Sequence, residues 1–160
     1  MDAQYRFKEI MDNFLRLVEK FHAIERTPRY FGIDEKLHMQ EIHVLATIGE
    51  TPDINVTQVA ERLGITKGTV SPIVSRLAQK QLVTKYKGGH NNKEVLLRLT
   101  VKGEVAYHAH EMLHRKIQAD MYAGLREKYG EHALDHLDFA ETFLQIAEQL
   151  VDQYAEVIKE

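Results

Sequence analysis

The run Thr57-Gln58-Val59-Ala60-Glu61-Arg62-Leu63-Gly64-Ile65-Thr66-Lys67-Gly68-Thr69-Val70-Ser71-Pro72-Ile73-Val74-Ser75-Arg76-Leu77 decides the fold. Thr57 is an N-cap type, Val59, Ala60 and Leu63 recur at helical spacing, and Gly64 stands where a helix would stop, which predicts a helix of about two turns. Thr66 offers a second cap. After it Val70, Ile73, Val74 and Leu77 recur every three or four residues, so a second helix follows with one apolar face. Its other face carries Lys67, Thr69, Ser71, Ser75 and Arg76, hydroxyls and cations that reach phosphates and base edges without crowding a groove about 12 Å wide. Arg76 is the expected strong base or phosphate contact. Helix, turn and helix in this order predict a helix-turn-helix whose second helix reads DNA.

Downstream, Leu82 to Lys87 alternates as a strand, Gly88-Gly89-His90-Asn91-Asn92-Lys93 is turn chemistry, and Glu94 to Thr100 alternates again. This hairpin is a wing, which Lys85, Lys87, His90, Asn91, Asn92 and Lys93 serve, mostly through phosphates. From Thr57 to Lys102, nine lysines and arginines face two acids, a local excess of +7. The whole chain is −3, so the remainder sums to −10. Such polarity fits a module that binds a polyanion on one face; the alternative is a small α+β domain whose solvated face is basic.

Val56 to Ser71, the continuation Val74-Ser75-Arg76-Leu77 to Leu82-Val83, and Leu97-Arg98-Leu99-Thr100-Val101-Lys102-Gly103 resemble the MarR (multiple antibiotic resistance regulator) family of transcription factors over essentially the full length. Three positions depart from the family pattern. Pro72 lies inside the reading helix, where a missing N–H and a clash one turn back predict a bend or an unusual docking angle. Gln81 stands where a glycine usually precedes the first wing strand, and the wing tip lacks the common Asp and Arg pair.

Upstream, Phe7, Ile10, Met11, Phe14, Leu17, Val18, Phe21 and Ile24 predict a first helix from about Tyr5 to Ile24, broken by Thr27 to Gly32. Leu37 to Gly49 is a second helix. Past the wing, Val101 to Lys128 reads as a long helix ended at Tyr129-Gly130, and Glu131 to Ile158 as another with a broad apolar stripe. The expected fold is mainly α with an α+β character: a winged helix-turn-helix at 37–100, and a helical region at 1–36 and 101–160. The resemblance implies that these long helices form a dimerisation bundle, placing two reading helices on a pseudo-palindromic double-stranded operator; an intramolecular three-helix pack in a monomer is the alternative.

The 160 residues contain no cysteine, so a metal would be held by nitrogen and oxygen ligands. No apolar run reaches membrane-spanning length and the N-terminus does not read as a signal peptide, which predicts a cytoplasmic protein without a membrane partner. Nine histidines are an excess. His110 and His114 lie four apart on the long helix, His43 is on the second helix, and Glu25 follows the first; such a set suits Zn²⁺ and tolerates Ni²⁺ or Mn²⁺. The remaining histidines, His22, His38, His90, His108, His132 and His136, are expected at the surface. Resemblance to the zinc-sensing branch of the family places Glu25, His43, His110 and His114 as ligands of a regulatory zinc, with no counterpart to that branch's second-site cysteine, and leans towards a repressor with metal as corepressor. A small aromatic or phenolic effector at the same seam, and purely structural histidines, are the alternatives. A metal-dependent hydrolase would need only an open position on the same ligands, but the chain has no phosphate loop, nucleophile elbow or HExxH run, so it is not expected to be an enzyme. A pure protein-interaction module would not need the basic excess.

Overall fold

The computed structural model describes residues 2–88 and 94–157, the side chains of 134–136 and 154–157 excepted. It divides inside one helix into two units, 1–113 and 114–160.

The first unit opens with α1 (Ala3–Glu25), capped by Asp2, whose carboxylate accepts from the Gln4 N–H at 3.3 Å. None of its residues is buried, so Phe7, Ile10, Leu17, Phe21 and Ile24 hold their helical spacing on an open face. A short hairpin follows, β1 (Arg29–Tyr30) against β2 (Lys36–Leu37), where the sequence predicts only a break. Then come α2 (Met39–Glu50), β3 (Ile54–Asn55), α3 (Val56–Leu63), α4 (Lys67–Gln79), β4 (Val83–Gly88) and β5 (Glu94–Leu99). The helix-turn-helix is therefore α3 and α4. Gly64 ends α3 with φ 64°, the left-handed cap its position predicts, and Thr66 caps α4. The α3 cap is Asn55 rather than Thr57: its side chain accepts from the Gln58 N–H while the Gln58 side chain accepts from the Asn55 N–H, a reciprocal box that starts the helix earlier. Despite Pro72, α4 continues unbroken to Gln79.

The sheet order is β3-β5-β4, all antiparallel. Pairing Lys85 with Leu97 and Ile54 with Leu97 puts β5 in the middle, so the wing is anchored by a third strand that its two residues hid from sequence reading. Gly88 belongs to the wing strand, opposite Glu94, rather than to its turn. The core joins α2, α3, α4 and the sheet through Leu37, Ile42, Leu45, Ile48, Val59, Val70, Leu77 and Leu97, each fully buried. Burying one such side chain stabilises the fold by about 1.5–3 kcal/mol. The long helix α5 (Val101–Tyr129) begins on this core: Ala106 is buried, and Gly103 lies so close to the residue preceding β4 that an added Cβ would sit 2.0 Å from the Leu82 carbonyl oxygen.

The second unit holds the rest of α5, a 3₁₀ turn at Gly130–His136 and α6 (Leu137–Val157). The sequence predicts one helix from Glu131; the structure starts the α-helical part at Leu137. Among its described residues Ile117, Met121, Phe139, Leu144, Leu150 and Val151 are exposed apolar side chains. No helix among the described residues is long and apolar enough to cross a membrane.

Candidate nucleic-acid interface and metal centre

Helical periodicity divides α4 cleanly. Val70, Ile73, Val74 and Leu77 are buried, while Lys67, Thr69, Ser71, Ser75 and Arg76 are exposed. The five residues that sequence reading assigns to DNA thus share the solvent side. Lys85 and Lys87 are exposed on β4, and Lys85 Nζ donates to Ser75 Oγ at 3.1 Å, joining wing to reading helix. His90, Asn91, Asn92 and Lys93 lie outside the described residues.

Several of the basic residues are committed inside the protein. Arg76 Nε donates to Glu41 Oε1 at 3.2 Å, and Lys80 Nζ donates to Glu41 Oε2 at 2.8 Å and to the Lys36 carbonyl at 3.2 Å. Glu41, on the first turn of α2, is 1% exposed, and its carboxylate also accepts from the His38 N–H. Burial by itself pushes this carboxyl up; the bonds from Lys80, the His38 N–H and Arg76 outweigh it and hold the group below the usual carboxylate range. The buried carboxylate thereby fastens the end of α4 to α2, and Lys80 adds a bond to β2. Lys102 is similarly held by Asp34 at 3.2 Å and Glu35 at 2.9 Å. At the base of the wing, Arg98 pairs with Asp53 at 2.7 Å and lies 5.3 Å over the Tyr86 ring, whose hydroxyl donates to the same carboxylate. The Tyr86 hydroxyl, then Arg98, lower the Asp53 carboxyl, and Asp53 in turn raises the Tyr86 phenol. This cluster ties both wing strands to the turn after α2. With these cations paired, the described exposed cations of the interface are Lys67, Lys85 and Lys87, with Arg76 half-exposed beside them.

Neither Glu41 nor Asp53 is among the residues the sequence singles out. The one signal for Glu41 is its place immediately before the largely apolar run Ile42 to Ile48: three residues after His38 it occupies the reciprocal-cap position. Asp53 has no such signal, because its partners lie 33 and 45 residues away.

The histidines converge. The His43 ring on α2 lies 5.6 Å from that of His110 on α5, and Phe31 packs edge-on to His110 at 5.9 Å. His114 follows one turn later on the same uninterrupted helix, and ligand nitrogens of His43, His110 and His114 lie within 4.8 Å of one another. His110 is buried, His43 half-buried and His114 exposed. Among the described residues this is the group of potential ligands that the fold assembles; Glu25 stays outside it. Glu25 instead lines a cavity of about 700 Å³ together with His22, His38, His43, Glu41 and Arg76. His22 and His38, expected as surface residues, are exposed and face that cavity. One space therefore touches both a histidine of this cluster and the Glu41–Arg76 pair that fastens α4. The donor set fits a borderline metal: imidazole nitrogens, no thiolate, and a carboxylate nearby.

Residues 37–95 match the model of the MarR family. The chain is 34% identical over 103 residues to the HTH-type transcriptional regulator YhjH of Bacillus subtilis, covering 64% of this chain and 58% of that relative. At this level of identity it spans only 50–58% of the length of the curated relatives it matches. Among solved structures, Streptococcus pneumoniae FabT in complex with DNA superposes with a TM-score of 0.68 at 24% identity, covering 93% of this chain and 99% of that one. Lactococcus lactis ZitR, a zinc-responsive MarR family member, superposes with a TM-score of 0.69 at 18% identity, covering 91% of this chain and 99% of that one. The curated relatives are named as HTH-type transcriptional regulators.

Proposed function

We propose that this chain, whose residues 37–95 match the MarR family model, is a dimeric cytoplasmic transcription regulator, acting as a repressor on double-stranded DNA and responsive to a metal. The observation that carries the DNA reading is the exposed side of α4, with Lys67, Thr69, Ser71, Ser75 and Arg76 outward, joined by Lys85 to a wing that adds Lys87. Solved relatives of this fold are recorded bound to DNA, which supports it. In a C2 dimer, α1 and the helices at 101–160 would cover one another's exposed apolar stripes, and the two copies of α4 would meet half-sites about 34–36 Å apart.

The finer reading is zinc. His43, His110 and His114 would hold the ion, with Glu25 at the neighbouring cavity rather than in the ligand set, and bound zinc would supply a fixed cross-link rather than a reaction. What the chain contributes is connection: His43 is on α2, His110 and His114 are on α5, and Glu41, on the same α2, grips α4 through Arg76 and Lys80. Fixing α2 against α5 therefore sets the seating of α4 and the span between half-sites. The zinc responsiveness of ZitR, which shares this fold, supports this choice. The second reading is a small aromatic or phenolic acid in the cavity of about 700 Å³, where Arg76 and His43 offer partners to a carboxylate.

Fluorescence anisotropy of the full chain on duplexes selected from a random-sequence pool tests the DNA reading. We expect affinity to fall linearly with salt on a log–log scale, and the slope to drop by about one for each phosphate contact removed in Lys67→Ala or Lys87→Ala. Unchanged affinity and slope in both variants would refute the assigned face.

A further inference from the structure

The exposed side of α4 offers a base pair an unusual surface. Ser75 Oγ donates to the Ser71 carbonyl at 3.0 Å and accepts from Lys85 Nζ at 3.1 Å; the Thr69 hydroxyl lies 2.9 Å from that of Thr66; Arg76 Nε is on Glu41 at 3.2 Å. The hydroxyls of Thr69 and Ser75 and the Nε of Arg76 are thus engaged within the protein. Among them stands apolar surface. Pro72 is exposed, Gly68 lies one turn before it on the same side, and Ser71 is adjacent. A proline inside a helix forfeits the N–H that the carbonyl one turn back would accept, and here the ring adds nothing to the core in return. At Gly68 an added Cβ would meet only Thr66 Oγ1, at 3.6 Å, so the fold itself does not require glycine there.

Resting on the DNA-binding reading above, we propose that Pro72 is a specificity-determining residue that seats its ring against a thymine methyl group in the major groove, with Gly68 allowing the backbone to approach. Thymine presents the only methyl group among the four bases in that groove, and apolar side chains recognise it by contact. A rigid ring is suited to this: it loses almost no side-chain entropy on docking. Specificity then comes from a methyl contact and close approach, while Lys67, Lys85 and Lys87 supply affinity through phosphates.

The test uses the full chain and a duplex selected from a random pool, resynthesised with each thymine in turn replaced by deoxyuridine, which keeps pairing and charge and removes only the methyl. One position per half-site should weaken binding about three- to fivefold, the worth of one buried methyl or methylene group. Pro72→Ala should erase that thymine-over-uracil discrimination, and Gly68→Ala should weaken binding to the unmodified duplex. Both variants improve helix propensity, so a circular dichroism melting temperature no lower than that of the wild type keeps misfolding out of the result. Uracil neutral at every position, or discrimination undiminished in Pro72→Ala, would overturn the proposal while leaving the DNA-binding reading intact. A pool from which no duplex is selected would overturn that reading, and this proposal with it.

Discussion

Replacing Glu41 by glutamine should loosen the reading helix from the body of the protein. The Glu41 side chain is 2% exposed and its carboxylate receives Lys80 at 2.8 Å and Arg76 at 3.2 Å; the Lys80 side chain is 27% exposed and that of Arg76 50%. Glutamine keeps the volume and one oxygen for the His38 N–H but removes the charge that both cations face. A hydrogen bond to a charged group contributes about 1.5–3 kcal/mol. Lys80, mostly buried, loses nearly that much, whereas half-exposed Arg76 regains water and loses little. The expected cost is about 2 kcal/mol, a fall in Tm of about 4–8 °C for a protein of this size. The pH dependence carries a sign. The Glu41 carboxyl is depressed in the folded state, so its contribution is present above the ordinary carboxylate pKa and is lost as pH falls through the folded value. Urea melts at fixed protein concentration should therefore show a wild-type advantage at pH 7 that shrinks below about pH 4. A gap that stays constant down to pH 3, or one below about 0.5 kcal/mol at pH 7, would refute the anchoring role.

Two further predictions stand on other observations. Gln81 has φ 59°, the left-handed conformation that costs a side chain about 1–2 kcal/mol, so Gln81→Gly should raise Tm by about 2–4 °C after allowing for the more flexible unfolded chain; a lower Tm would contradict it. His43→Ala and His114→Ala should each abolish stoichiometric zinc uptake measured by calorimetry, with the fold preserved in far-UV circular dichroism, because neither residue is fully buried; unchanged uptake in both would eliminate the site.

Much of the winged-helix region was legible because its signals are local. Helical spacing separates Val70, Ile73, Val74 and Leu77 from the outward residues of α4, and Gly64 and Thr66 mark their boundaries through chemistry contained within a few residues. Family-pattern glycine positions gained physical causes only from the structure. Gly103 is needed because the Leu82 carbonyl fills the space of a side chain, and Gln81 departs from the pattern at a position whose backbone favours glycine. Strands of two residues, such as β3, carry too short an alternation to be read. The ion pairs were illegible for a different reason: Glu41 with Lys80 and Asp53 with Arg98 are 39 and 45 residues apart, so only the folded chain reveals which cations remain for DNA. Arg76 illustrates the point, since its charge is visible in the sequence and its engagement with Glu41 is not. The histidines were halfway between. The spacing of His110 and His114 places them on one face, but bringing His43 to them, and leaving Glu25 beside the cavity rather than in the cluster, is work done by the packing of α2 against α5.

The most direct test of a zinc-responsive DNA reader is an anisotropy titration of the full chain on a selected duplex, with zinc, without it and after chelation. The account predicts a change in affinity of about tenfold or more between the zinc-loaded and chelated protein, about 1.4 kcal/mol of coupling, that vanishes in His43→Ala. Tight binding that is indifferent to zinc would contradict the metal switch and redirect attention to an organic ligand in the Glu25–His43 cavity; absence of binding at low salt would contradict the account as a whole.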